Sequence, residues 1–250
     1  MTEPPTPEMA PASAAAYRAL LGEIATLEDR VVRGPLALAD EQYATEAYRW
    51  VFSILAVALD CYVWADPARP RFVDIVGPNR KWGGDNADAY YQFAPIDPTR
   101  AYRVRGRRGD SVYLSLTVYG GPDDGRYSER IVGSVNDEDL VFDADGGFEC
   151  WIGPQAQPGP GVLTAPDADY LADAATGRRA GFDIEALEPA GPYRSTDADL
   201  ARGLAAARVW VREQADLVPI DLGEPNRVDP PYPVPTETFG WAAGDAAYAM

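Results

Sequence analysis

Behind a proline-rich opening, apolar residues recur at helical spacing at Tyr17, Leu20, Leu21, Ile24, Leu27 and Val31, with Arg18, Glu23, Glu28 and Arg30 between them. That period predicts an amphipathic helix. Gly34-Pro35 breaks it, and Asp40 is placed to cap a second helix running to about Trp64. This helix is apolar on most of its circumference, so it is expected to be largely covered. Pro67 and Pro70 end the helical region.

From Phe72 to about Leu187 the period changes to two. In Ser111–Tyr119, Val112, Leu114, Leu116 and Val118 alternate with Ser111, Tyr113, Ser115, Thr117 and Tyr119, the pattern of a half-buried strand. Tyr102–Gly106 alternates too, and Arg107-Arg108-Gly109 suits a three-residue hairpin loop with glycine in the left-handed region. Closing that hairpin sets Val104 opposite Val112 and Tyr102 opposite Leu114 on one face, with Arg105 opposite Ser111 and Arg103 opposite Tyr113 on the other. Upstream, the turn Asp97-Pro98-Thr99-Arg100 predicts Phe93 beside Val104 and Gln92 beside Arg105. Downstream, Ala144-Asp145-Gly146 sets Phe142 against Phe148 and Leu140 against Cys150. Tyr127–Val135, Gly161–Ala165 and Gly181–Leu187 read as further strands.

Hairpins with one apolar face each need a second layer, which favours an antiparallel β-sandwich of jelly-roll type over an open sheet. Ser195 to Asp199 then supplies a cap and first-turn carboxylates for a helix whose buried stripe is Leu200, Leu204, Ala207 and Val211. The expected organisation is a disordered tail over 1–13, a helical region over 14–68, the sandwich over 69–190, a helix packed on it over 193–217, and an extended proline-rich tail over 218–250. The chain stops at Tyr248-Ala-Met250 without a turn or polar tail, so a natural C-terminal portion is expected to be missing.

Composition narrows the function classes. With 46% hydrophobic and 24% charged residues the 250-residue chain is expected to fold as one large unit. The balance of 22 basic against 39 acidic residues gives a formal charge of -17, which repels phosphate backbones and anionic lipid heads, so neither nucleic acid nor a membrane is an expected partner. The N-terminus lacks a basic start and an apolar run, so export is not supported and a cytoplasmic location is expected. Cys61 and Cys150 lie far apart with no CxxC spacing and read as reduced core thiols. There is no histidine, which removes the Ser-His and Cys-His nucleophile pairs and imidazole metal ligands.

The most distinctive local text is Trp82-Gly83-Gly84-Asp85-Asn86-Ala87-Asp88-Ala89-Tyr90-Tyr91. Asp85, Asn86 and Asp88 offer acceptors and an amide, while Trp82 and Tyr90 offer flat apolar faces, a combination suited to polyhydroxylated ligands. The same text also reads as a turn that caps its own backbone, with the aromatics in the core. By the hairpin register, Arg103 and Arg105 share an outward face with Gln92, Tyr90, Tyr113 and Ser115. That face could clamp a carboxylate, phosphate or sulfate, or be a solvated face whose arginines pair with acids. Asp143, Asp145 and Asp123-Asp124-Gly125 resemble oxygen-rich calcium loops without the full ligand spacing. No phosphate loop, dinucleotide fingerprint or nucleophile elbow occurs, so neither a cofactor nor a metal is expected.

The stretch RKWGGDNADAYYQFAPIDPTRAYRVRGRRGDSVYLSLTVYGG, Arg80 to Gly121, resembles the bacterial family catalogued as domain of unknown function 1214. The later DLVFDADGGFECWIGP and GWAAGDAAYAM are similar to that family's following segments. The resemblance implies a jelly-roll β-sandwich, further strands beyond the point matching Met250, and no assigned reaction. The leading expectation is binding of a small polar molecule, carbohydrate-like or anionic, by Trp82, Asp85, Asn86, Asp88 and Tyr90 with Arg103, Arg105 and Tyr113 nearby. Two other readings stand beside it. One is a His-independent hydrolase or lyase with Asp85 or Asp88 as general base, open to Tyr113 as acid and to a metal held by oxygen ligands. The other is a homo-oligomeric scaffold acting through an exposed apolar patch on Tyr43–Trp64.

Overall fold

The computed structural model describes residues 11–34, 41–77, 80, 82, 89–155, 162–164, 170–176 and 180–217. The expectations for the Asp40 cap and for the tail over 218–250 lie outside them. Helix α1 spans Ala12–Leu27, two residues earlier than the periodicity predicts, because its N-terminus is capped from the far end of the chain. The Asp197 carboxylate accepts the amides of Ala12 (2.7 Å) and Ser13 (3.2 Å) and the Ser13 hydroxyl (2.5 Å). Helix α2 spans Glu41–Ala58. Each of these helices runs on into one wide turn, closed by Arg33 N to Glu28 O (2.8 Å) and by Trp64 N to Leu59 O (3.0 Å). Helix α3 spans Asp197–Leu217 and starts as predicted, with Thr196 as cap. Thr196 Oγ1 accepts the Asp199 amide (3.1 Å), and Asp199 Oδ2 accepts the Thr196 amide (3.0 Å) in return.

Among the described residues nine strands lie between α2 and α3: β1 Val73–Val76, β2 Ala89–Pro95, β3 Tyr102–Arg107, β4 Tyr113–Gly120, β5 Arg130–Asn136, β6 Gly147–Gly153, β7 Val162–Thr164, β8 Tyr170–Thr176 and β9 Gly181–Ala186. They form a five-stranded sheet, β1-β2-β8-β4-β5, and a four-stranded sheet, β7-β6-β3-β9. Every pairing is antiparallel except β6 with β7. The fold is therefore a mixed helix and strand architecture, and its two sheets do not close into a barrel.

The predicted hairpin of β3 with β4 does not form. Val104 lies opposite Cys150 and Ile184 in the four-stranded sheet, while Leu114 lies opposite Ala175 in the other. The chain crosses between sheets at 108–112, where Arg108 holds the connection by donating to Ser111 O (2.9 Å), Val112 O (3.1 Å) and Asp137 (2.9 Å). Val112, expected inside, is 76% exposed as a result. Phe93 likewise does not meet Val104, since β2 pairs with β1 and β8, although the 97–100 turn forms through Arg100 N to Asp97 O (3.0 Å). The loop ahead of Gly147 matches expectation: Gly146 has φ 75°, and the Phe142 and Phe148 rings meet at 5.7 Å.

The five-stranded sheet is buried on both faces. Ala94, Leu114, Leu116 and Val118 meet Tyr102, Val104, Cys150 and Ile184 of the other sheet in one apolar cluster. On the opposite face Val73 and Phe93 join Leu27, Ile54, Val57, Trp210 and Val211 of the helices in a second. The helical layer is not fully covered outside: Tyr17, Leu21, Tyr48, Phe52 and Trp64 are exposed, Phe52 by 64%. Among the described residues no helix is long and apolar enough to cross a membrane.

Candidate functional site

The residues expected to form the site separate. Trp82 is half-buried in the helix-side core: its indole N–H donates to Ile75 O (3.1 Å), its carbonyl accepts the Trp50 indole (2.9 Å), and its ring meets Trp210 edge-on at 5.4 Å. Asp85, Asn86 and Asp88 lie outside the described residues. Tyr90 and Gln92 sit in register with Leu114 and Leu116 on the face between the sheets, not outward, because β8 rather than β3 is their neighbour. Gln92 is buried and donates to Asp74 (2.6 Å). Tyr113 is on β4 in the other sheet from Arg103 and Arg105, so the three do not share a face.

Arg103 and Arg105 do point outward, as their alternation predicts, but they are engaged. The register sets Arg103 opposite Glu185 and Arg105 opposite Glu149. Arg103 binds Glu185, Arg105 binds Glu149 (3.1 Å), and Arg103 stacks on Trp151 at 5.5 Å. This is the solvated face with paired acids. Asp143 spends an oxygen on the amides of Asp145 (2.9 Å) and Gly147 (2.8 Å), which holds its carboxyl below the usual range and accounts for it as turn chemistry. Among the described residues no three Cys, Asp or Glu side chains gather to hold a metal.

Among the described residues a concavity lies elsewhere, at one end of the helix-side layer. It encloses about 820 Å³ between the turn that ends α2, the 96–98 turn after β2, the 121–126 loop after β4, the 191–195 connection and the first turns of α3. Two close approaches shape it. A Cβ on Gly203 would lie 2.6 Å from Tyr62 O, and one on Gly125, at φ 93°, would lie 1.9 Å from Ala206 O. Only glycine lets α3 sit this near both walls.

Arg69, Arg126, Arg194 and Arg202 face the cleft together with Asp66, Asp97, Asp123 and Asp199, so its lining is balanced in charge although the chain is not. Tyr193 and five prolines, Pro67, Pro95, Pro98, Pro122 and Pro192, add flat apolar surface. The Thr99 hydroxyl holds the Asp97 carboxyl below its ordinary value, and the Thr196 hydroxyl lowers Asp199 to about 2. Both are therefore firmly ionised near neutrality, good acceptors and poor proton abstractors. Cys61 also lines the cleft, and burial pushes its thiol well up, which keeps it protonated. The arrangement can hold hydroxyls, amides and charged substituents; it offers no activated nucleophile among these groups. Sequence reasoning missed these residues because each belongs to an ordinary connection or to the first turns of α3. The signal was repetition: Asp66-Pro67, Asp97-Pro98, Gly121-Pro122-Asp123 and Gly191-Pro192-Tyr193 are four proline turns, all of which meet here.

The chain matches no protein-family model and no curated protein. Among solved structures it is similar to an uncharacterized protein from Burkholderia cenocepacia, at 26% identity and a TM-score of 0.72, with 82% of this chain and 59% of that one covered. This chain therefore spans under two thirds of that relative's length. The VPA0106 protein from Vibrio parahaemolyticus also matches, at 17% identity and a TM-score of 0.30 over 70% of this chain and 43% of that one.

Proposed function

We propose that the chain binds a small polar molecule, and that the ligand occupies the cleft at the end of α3. The observation that carries this is a concavity of about 820 Å³, large enough for a metabolite-sized ligand, whose lining alternates guanidinium and carboxylate around a tyrosine and several prolines. Balanced donors and acceptors beside flat apolar faces favour a carbohydrate-like polyol over a simple anion. The test is a thermal-shift screen of neutral sugars and polyols in one arm and phosphorylated or sulfated small molecules in the other. A ligand at a hundred times its Kd stabilises by about 2.7 kcal/mol, roughly 5–10 °C for a domain of this size. Neutral ligands are expected to give that rise, and Tyr193→Ala to diminish it. No stabilisation in either arm overturns the reading.

The remaining expectations are kept as part of this proposal. Crossing of the chain between the sheets at β2 to β3, β3 to β4, β5 to β6, β7 to β8 and β8 to β9 supports a sandwich of jelly-roll type. Similarity of Arg80–Gly121 to domain of unknown function 1214 supports membership of that family. A second role, self-association through the helical layer, is favoured by the exposed rings of Tyr48 and Phe52 one turn apart on α2. Light scattering of the chain and of Phe52→Ser tests it. A monomer in both sinks it.

A further inference from the structure

The connection from Leu187 to Thr196, between β9 and α3, carries no helix or strand, and its residues 191–195 are exposed on one side while they wall the cleft on the other. Both of its ends are fixed. Leu187 N donates to Ala101 O (2.8 Å) and the Glu188 carboxylate accepts the Ala101 amide (3.3 Å), while the Thr196 and Asp199 exchange of hydrogen bonds begins α3. Between these ends one side chain reaches across from the opposite wall. Arg69 donates through Nη2 to Gly191 O, and its guanidinium lies 5.6 Å from the centre of the Tyr193 ring.

Arg69 is itself rooted in the core. Its Nη1 donates to Asp66 (2.9 Å) within the Asp66–Arg69 turn, and Pro67 O in that turn accepts the hydroxyl of Tyr102 (3.0 Å), a fully buried residue. The same hydroxyl accepts the Asp97 amide (2.7 Å), so the 96–98 wall and the base of Arg69 move as one piece. The opposite wall has no comparable root: Tyr193 is 67% exposed, and glycine at 191 puts a flexible joint beside the carbonyl that Arg69 holds.

We propose that residues 188–195 form a strap across the cleft, that Arg69 is its latch, and that release of the latch is the opening through which ligand enters. This rests on the reading of the cleft as the binding site. The rigid wall carries the acids and prolines, and the strap supplies the Tyr193 face. A guanidinium reaching both a carbonyl and a ring is strong enough to keep the strap closed most of the time and weak enough to yield without unfolding the domain.

Tryptic cleavage of the Arg194–Ser195 bond in the full chain under native conditions reads the opening directly, with no ligand required. Arg69 precedes Pro70, so replacing it removes no cleavage site. Loss of one charge-assisted hydrogen bond and a ring contact corresponds to roughly a tenfold rise in the open fraction. Arg69→Ala is expected to cleave at this bond about tenfold faster, with rates at other sites unchanged. Arg69→Lys, which keeps the charge over the ring but not the planar fork, is expected to fall between. Tyr193→Ala removes only the exposed half of the latch and guards against a folding defect in the Arg69 variants; it too should cleave faster. Equal rates in wild type, Arg69→Ala and Tyr193→Ala overturn the latch, as does a rise shared by every site. A ligand screen without hits would sink the binding reading and leave these rates as they are, so the two failures are separable.

Discussion

Trp82 spends its indole N–H and its carbonyl on the protein, donating to Ile75 O and accepting from Trp50, and lays its ring against Trp210. A side chain committed in this way locks α2 and α3 to the edge strand β1 and has no polar group left to offer a ligand. Trp82→Ala is therefore expected to lower stability by about 2–4 kcal/mol, toward the lower part of the range for large aromatic truncations because the residue is only half-buried. Denaturant unfolding measures this, and the ligand found by thermal shift should bind the folded variant with unchanged affinity. A stable variant that has lost ligand would return Trp82 to the site. At this scale the residue types of Trp82 and Asp143 left both binding and turn or core chemistry open, with the second favoured for Asp143 because its loop lacks the full calcium-ligand spacing. Only the partners distinguish them: for Trp82 a ring far along the chain, Trp210, and for Asp143 the amides of its own turn.

At the scale of elements, α1 and α3 are joined by charge at both ends. Asp197 in the first turn of α3 caps α1, Arg212 binds Glu23 (2.9 Å), and Arg30 binds Asp216. The hydroxyl and amide of Ser13, with the amide of Ala12, hold the Asp197 carboxyl below its ordinary value. A carboxyl whose value is depressed on folding stabilises the fold fully above its unfolded value, about 3.9, and loses that contribution as pH falls through the lower folded value. The difference in melting temperature between wild type and Asp197→Ala is thus expected to be constant from pH 7 down to about 5 and to shrink toward zero below about pH 4. Taking the difference cancels the rest of the titration. A gap that persists at pH 3 would mean the cap works without its charge. The start of α3 was legible in the sequence because its capping exchange spans three residues. The capping of α1 was not, since its partner is 185 residues away. The strands show the same division. Alternation placed Leu114, Leu116 and Val118 inward and Arg103 and Arg105 outward, because the face of a side chain depends only on its own strand. Pairing failed at β3 and β4, because register was inferred from neighbours in sequence while the chain was crossing between sheets. Strand β8, Tyr170–Thr176, is rich in alanine and carries little strand propensity, yet it holds β2 and β4 together in the centre of the five-stranded sheet.

The whole molecule sets an electrostatic problem that pairing cannot solve. With 39 acidic side chains against 22 basic ones, 17 negative charges remain unbalanced whatever the arrangement. The arginines are spent where the fold needs them: on the outer face of the four-stranded sheet, between α1 and α3, and around the cleft. Salt acts on this in two opposing ways, weakening the exposed pairs and screening the excess of like charge. The pairs are mainly at the surface, where each contributes about 0–1 kcal/mol, whereas repulsion among the unbalanced carboxylates is summed over the compact state and relaxes on unfolding. Repulsion should win. From about 0.01 M to about 0.3 M sodium chloride the Debye length falls from about 30 Å to under 10 Å, from about the width of a domain to the spacing of neighbouring charges. The melting temperature is expected to rise over this range, and to rise less in a variant whose excess is reduced by neutralising exposed acids such as Glu138 and Asp145. A fall with added chloride would mean that the ion pairs joining the helices and lining the cleft outweigh the net charge. In that case the strap held by Arg69 should loosen with salt as well, and cleavage after Arg194 should accelerate in step with the loss of stability.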